Sequence, residues 1–505
     1  MNQLKAGAAL SYVIIALNAI IGIAYTPFML RMMGQAEYGL YSLAASMIAY
    51  LTVLDLGFGN AIIRYTAKFR TEGKTQEQYE MFGMFLRLYL VIGAIAFLIG
   101  LGLYFNVDRM FSDTMSSEEL DRIRVMMMLM SFNLAFTFPL SIFGSIISAY
   151  ENFVFQRLVN LVRILLNPLV MIVLLLFGYK AIAMVVVTTI FNLTTLLINC
   201  WYCFHKLHIR VRLARFQWTF MKEVGIYSFW IFLNAIMDRI YWSTGQFILG
   251  MYRGAEAVAV YAVAIQLKTM FYMFSTAISG VFLPKVTGMI TKGATDEQVS
   301  TLLIKTGRIQ YIIMVYILSC FILFGRQFIS LWAGQNYEES YTITLLLFIP
   351  TLIPLIQNVG ITILMARNEL KFRSLLILII SVLSLIVAIP MVKLYGGIGC
   401  AIATSIAVLV GHGFCLNIYY KKKINLNISL FWREICRMSI IPIFFTAGGF
   451  ATLRFVQIES IIQFVIAGVA FTLLYIPFYW FWGMNQYERT LFQYPIMVLV
   501  NRIRK

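Results

Sequence analysis

Apolar residues in this chain come in runs of about twenty, separated by short charged stretches, and a helix needs about that many to cross the hydrocarbon core of a bilayer. The pattern predicts about fourteen spanning helices. Six lie near 8–30, 38–60, 83–105, 123–149, 156–178 and 181–203. Six more lie near 222–250, 257–283, 306–325, 341–365, 373–392 and 398–420, and two follow near 437–455 and 461–483. The first apolar run leads through Pro27 to Arg31 and reads as a spanning helix, not a cleaved signal.

Composition agrees with an all-α integral membrane protein. Of 505 residues, 61% are hydrophobic and 12% charged, with a mean hydropathy of +0.83. So few charges cannot cover a water-soluble surface. The formal charge of +18 would point to nucleic acid in a soluble protein. Here the placement of the cations decides otherwise: with both termini cytoplasmic, 27 Lys and Arg fall on that side, nine on the other, and Arg87, Arg163, Arg239 and Lys268 within or at the mouth of spans. That asymmetry is a positive-inside signal, and no nucleic-acid partner is needed to explain the charge. Six scattered cysteines form no disulfide framework. Cys200, Cys203, His205 and His208 are spaced too tightly for a zinc site, and no metal or other cofactor is expected. No Gly-Lys-Ser/Thr phosphate loop is present, and the longest loops, 106–122 and 204–221, are too short for a soluble catalytic domain.

The chain also repeats itself. A shift of 216 residues lays Leu17, Asn18, Ala19, Ile20 and Tyr25 on Leu233, Asn234, Ala235, Ile236 and Tyr241. The offset covers six helices, an even number, so the halves share one orientation and form parallel repeats about an axis along the membrane normal, as in alternating-access transporters. The expected organisation is an N-terminal six-helix lobe at 1–205, a cytoplasmic linker at 206–221, a second six-helix lobe at 222–423, and two appended helices with a cytoplasmic tail at 424–505.

Polar residues recur at helical spacing within several spans: Asn18 and Tyr25; Asn160, Arg163 and Asn167; Thr188, Asn192, Thr195 and Asn199; Asn234, Asp238 and Tyr241; Lys268, Tyr272 and Ser275. One such stripe reads as packing; several across both halves point to faces turned to a shared aqueous cavity. Arg163, Asp238, Arg239 and Lys268 lie at membrane depth, where a charge is costly unless paired or hydrated. Two readings of Asp238 stand: a structural partner of Lys268 or a coupling group. In either, Arg163 and Arg239 leave the balance cationic, which suits an anionic substrate with phosphate as the group held. Asp55 in the second span likewise reads as a cation-coupling carboxylate or as the structural partner of Arg64 or another cation at that cytoplasmic end. His412 reads as a hydrogen-bonded interior residue before a proton relay.

The segments Pro27-Phe28-Met29-Leu30-Arg31-Met32-Met33-Gly34, Glu37-Tyr38-Gly39-Leu40-Tyr41 and Asp55-Leu56-Gly57-Phe58-Gly59-Asn60-Ala61, with Arg64-Tyr65, resemble Wzx-type polysaccharide flippases of the multidrug/oligosaccharidyl-lipid/polysaccharide exporter superfamily. The resemblance implies two six-helix lobes around a cationic cavity. It also implies movement of a polyprenyl-pyrophosphate-linked oligosaccharide from the inner to the outer leaflet of the bacterial cytoplasmic membrane by alternating access. Coupling to a proton or sodium gradient is implied for several relatives, with polysaccharide assembly enzymes as partners.

On this reading the protein is a transporter for surface polysaccharide biosynthesis and not an enzyme. Arg163, Arg239 and Lys268 hold the pyrophosphate, Asn18, Asn234, Tyr241 and Tyr272 contact sugars, and Asp55 and Asp238 are coupling or ion-pair candidates. A multidrug exporter of the same superfamily needs acidic residues deep in the cavity, whereas deep charge here is mostly basic. A membrane-embedded polymerase or glycosyltransferase needs a substantial catalytic outer loop. The acidic cluster Asp108, Asp113, Glu118, Glu119 and Asp121 is the candidate for one, and a solvated loop explains it.

Overall fold

A bilayer offers backbone groups no water, so a chain of this composition must satisfy them within helices. The computed structural model describes residues 3–213, 217–367, 369–455 and 460–493, and among them there is no strand. Arg215 of the predicted linker and the tail cations Arg502, Arg504 and Lys505 lie outside the described residues.

The helices are α1 (Gln3–Met33), α2 (Gln35–Leu51), α3 (Phe58–Thr71), α4 (Thr75–Phe111), α5 (Ser117–Ala149), α6 (Phe153–Leu176), α7 (Ala181–His205) and α8 (Trp218–Trp242). They continue as α9 (Thr244–Thr291), α10 (Asp296–Trp332), α11 (Glu339–Ile356), α12 (Asn358–Ala366), α13 (Leu370–Val408), α14 (Leu416–Lys422), α15 (Ile428–Leu453) and α16 (Ile461–Phe478). Starts are written into the sequence. Ser116 with Glu119, Thr295 with Gln298 and Ser460 with Gln463 each form a reciprocal capping box, opening α5, α10 and α16.

Among the described residues, 12 helical stretches are long and apolar enough to cross a membrane, so the count of fourteen is not reproduced. The difference has a local cause. Two of the 12, Phe232–Thr276 and Leu370–Lys422, each run through two predicted spans and contain a glycine outside helical geometry: Gly254 at φ 81° and Gly396 at φ 58°. The second span is longer than predicted, Gln35–Thr71, and is interrupted between α2 and α3. There a 3-10 turn at Thr52–Asp55 is followed by Leu56 at φ 53° and Gly57 at φ 74°. Two consecutive left-handed residues cannot belong to a right-handed helix, and glycine takes that conformation at least cost.

The chain divides into two compact units, residues 1–262 with 381–400, and residues 263–380 with 401–505. The first has a core built on α3, α4 and α5, where Phe82, Phe85, Tyr89, Phe138, Ile142 and Ile146 are buried together. The α4–α5 approach is close: a Cβ on Gly93 would lie 2.5 Å from the Ala135 carbonyl oxygen. In the second unit, Leu303, Val359, Ile363, Tyr420, Phe431 and Tyr475 share a core.

The appended helices dock on α10 through polar side chains. Arg308 is buried; its Nε donates to Glu488 Oε1 at 2.5 Å, Nη2 to Glu488 Oε2 at 3.1 Å, and Nη1 to Glu434 Oε2 at 2.6 Å. Further along α10, Tyr311 bonds Ser439 of α15 at 2.5 Å and Tyr316 bonds Thr472 of α16 at 2.7 Å. Arg308 is thus a buried structural charge.

Candidate functional site

In the first unit, three polar stripes meet on α5, α6 and α7. On α7, Asn192 donates from Nδ2 to Asn133 Oδ1 and to Thr137 Oγ1 of α5, both at 2.8 Å. Its Oδ1 accepts from Arg163 Nη1 of α6 at 3.4 Å. Arg163 is half-buried, as are Asn160 and Asn167 on the same face. Toward the α5–α6 connection the seam continues: Ser148 donates to Gln156 Oε1 at 2.9 Å, and Gln156 Nε2 to the Gly144 carbonyl at 3.3 Å. The α7 and α6 stripes are plain in the sequence. The matching α5 stripe of Asn133, Thr137, Ser141 and Ser148 was missed, although spacings of four and seven signal it equally well.

The break in the second span holds Asp55. Its Oδ1 accepts from the Tyr89 hydroxyl of α4 at 2.8 Å, and the Gly57 amide also donates to the carboxylate. Arg64, the expected partner, instead places its guanidinium 5.7 Å from the Tyr65 ring centre. Among the described residues no cation forms an ion pair with Asp55.

The other first-unit candidates are spread along two helices. Asn18 on α1 is exposed; Asn234 and Arg239 on α8 are half-buried and Asp238 is exposed. Tyr241 turns a buried hydroxyl with no hydrogen-bond partner among the described residues, its ring 5.7 Å from that of Trp242. Glu37, from the motif segment, is buried at the start of α2. It pairs with Arg122 of α5 and accepts the Ala181 amide of α7 at 3.2 Å, tying three helix ends together. Cys203 donates to the Phe143 carbonyl at 3.4 Å, and the His205 ring lies 3.2 Å from the Trp201 carbonyl.

In the second unit, Lys268 of α9 is buried, 6% exposed, with its ammonium 5.5 Å from the centre of the Tyr272 ring one turn on. Tyr272 is exposed. On the same face, Ser275 donates to the Leu355 carbonyl at 2.9 Å, and Gln310 of α10 donates to Ser275 O and Oγ at 3.3 and 3.4 Å. A second polar group centres on Asn417 of α14. Its Oδ1 takes bonds from Gln357 at 2.7 Å and Trp432 at 3.1 Å. Its amide caps the His412 and Gly413 carbonyls at 2.8 and 2.9 Å, in the π-helical segment Leu409–Cys415. Among the described residues His412 has no hydrogen-bond partner at Nδ1.

A polysaccharide biosynthesis protein model matches residues 4–290, more than half of the chain. A putative O-antigen transporter of Shigella flexneri is 20% identical over 403 residues, covering 78% of this chain and 92% of its own. The uncharacterized membrane protein EpsK of Bacillus subtilis is 21% identical over 337 residues, 66% of this chain and 65% of that one. Among solved structures, the lipid II flippase MurJ in an inward closed conformation aligns with a TM-score of 0.74 at 14% identity, over 97% of this chain and 99% of that one. An inward-facing multidrug resistance MATE transporter aligns at 0.58 and 16% identity, over 82% and 99%. The fold is therefore that of these transporters, and the chain belongs to the polysaccharide biosynthesis protein family.

Proposed function

We propose that this protein flips a polyprenyl-pyrophosphate-linked oligosaccharide from the inner to the outer leaflet of the bacterial cytoplasmic membrane, for assembly of a surface polysaccharide. The observation that carries this reading is the state of Arg163. It lies midway along α6 and is met by the neutral amide of Asn192, with no carboxylate in an ion pair among the described residues. A guanidinium at that depth costs about 2.5–3.5 kcal/mol to place, and an amide partner leaves its charge available to an anion. Arg308 is the internal contrast, since two carboxylates neutralise it. The names of the relatives, an O-antigen transporter and a lipid II flippase, support a lipid-linked glycan as cargo.

In this mechanism Arg163, Arg239 and Lys268 engage the pyrophosphate, while Asn18, Asn234, Tyr241 and Tyr272 contact sugars. The prenyl tail stays in an apolar environment. A groove of about 550 Å³ in the second unit, walled by Val315, Leu318, Ile322, Leu352, Pro442 and Ile443, has the right chemistry for a length of it. Both termini face the cytoplasm, following the Lys and Arg distribution. Asp55 and Asp238 are the groups through which a proton or sodium gradient would act.

The test is complementation of depleted cells with Arg163→Ala, Arg239→Ala and Lys268→Ala. Loss of surface polymer with the variants still in the membrane is expected. Normal polymer from all three contradicts the assignment of these cations. A drug exporter of the same fold is the second reading, favoured by the half-buried carboxylate of Asp55, which pairs with no cation among the described residues. Raised drug sensitivity with an unchanged lipid-linked pool on depletion would select it.

A further inference from the structure

We infer that Asn192 is a positioning residue, one that aims the Arg163 guanidinium at a phosphate group without neutralising it. The inference rests on the flippase reading and deepens it. Hydrogen-bond accounting fixes the amide. Thr137 spends its single hydroxyl proton on the Asn133 carbonyl, at 2.8 Å, so toward Asn192 it can only accept. Asn133 Oδ1 is likewise an acceptor. Both protons of Asn192 Nδ2 are thereby committed to α5 at 2.8 Å, and flipping the amide would set its oxygen against two acceptors. Oδ1 is left facing α6, where it takes one N–H of Arg163.

The consequence is a guanidinium tethered through one N–H with its charge undiminished. One donor goes to the amide; the rest of the fork is free to meet a phosphate in bidentate fashion. A carboxylate at position 192 would hold the arginine more strongly and cancel what an anionic cargo needs. An apolar residue would leave a long, rotamer-rich side chain unaimed, and the cargo would bear the cost of ordering it.

The experiment measures binding of geranylgeranyl pyrophosphate to the purified full-length protein in detergent, with geranylgeraniol as the uncharged control. Arg163→Ala should weaken pyrophosphate binding about tenfold or more, the loss of a charge-assisted contact. Asn192→Ala should weaken it severalfold, with no further loss when combined with Arg163→Ala, because the two act as one unit. Asn192→Asp, nearly isosteric, should bind the pyrophosphate worse than Asn192→Ala. A merely structural role would lower geranylgeraniol binding along with pyrophosphate binding. Geranylgeraniol binding should be unchanged throughout. If Arg163→Ala weakens binding while Asn192→Ala and Asn192→Asp match the wild type, the positioning role is overturned and the phosphate assignment stands. If Arg163→Ala itself binds normally, the phosphate assignment falls and takes this inference with it.

Discussion

Asp55 and Tyr89 meet at 2.8 Å inside the break of the second span, the carboxylate accepting the phenol proton where the backbone has left the helix. The acid is charge-unpaired among the described residues, which distinguishes it from Glu37 and Glu488, each bonded to an arginine. Asp55→Asn should therefore leave the protein in the membrane and reduce transport by an order of magnitude or more. Tyr89→Phe removes one hydrogen bond, about 1.5–3 kcal/mol when the partner is charged, and should cause a smaller loss. Surface-polymer yield across a range of external pH and sodium reads both. A wild-type yield from Asp55→Asn would assign the acid to structure alone.

The Arg308 cluster predicts a stability effect and not a transport effect. Arg308→Ala strands Glu488, 1% exposed at its side chain, without its cation. Breaking a buried pair on one side costs about 3–5 kcal/mol. Thermal unfolding of the purified variant should begin well below the wild type, with early proteolysis within α15 and α16. Glu434→Gln, at a carboxylate 29% exposed, should have a smaller effect.

Helix approach at Gly93 gives a steric prediction. Even alanine would bring a carbon within 2.5 Å of the Ala135 carbonyl oxygen, which is backbone and cannot rotate away. Gly93→Leu should force α4 and α5 apart and abolish accumulation of folded protein, whereas Gly102→Leu, with open space at its Cβ, should be tolerated. Yield after detergent extraction and size-exclusion profile distinguish them.

Span positions were legible because about twenty apolar residues have few alternatives in water or lipid. Arg163 and Lys268 stood out for the same reason, as rare charges in those runs. What stayed hidden depended on partners far apart in sequence. Arg308 and Glu488 are separated by 180 residues, and nothing local marks one as the other's counter-ion. The break at Asp55 was signalled by Asp55-Leu56-Gly57, yet an apolar run reads straight through it. Asn192 was visible as one member of a polar stripe. Its role emerged only once Asn133, Thr137 and Arg163 were placed around it.

A leaflet-resolved assay of the lipid-linked glycan in cells depleted of this protein tests the central claim most directly. Lipid extracts are analysed by mass spectrometry, and intact spheroplasts are probed with a membrane-impermeant lectin or glycosidase. Flipping predicts that the completed polyprenyl-pyrophosphate oligosaccharide accumulates and is shielded from the external probe, becoming reachable when wild-type protein is restored. A pool that is unchanged in amount and equally reachable with and without the protein would contradict it.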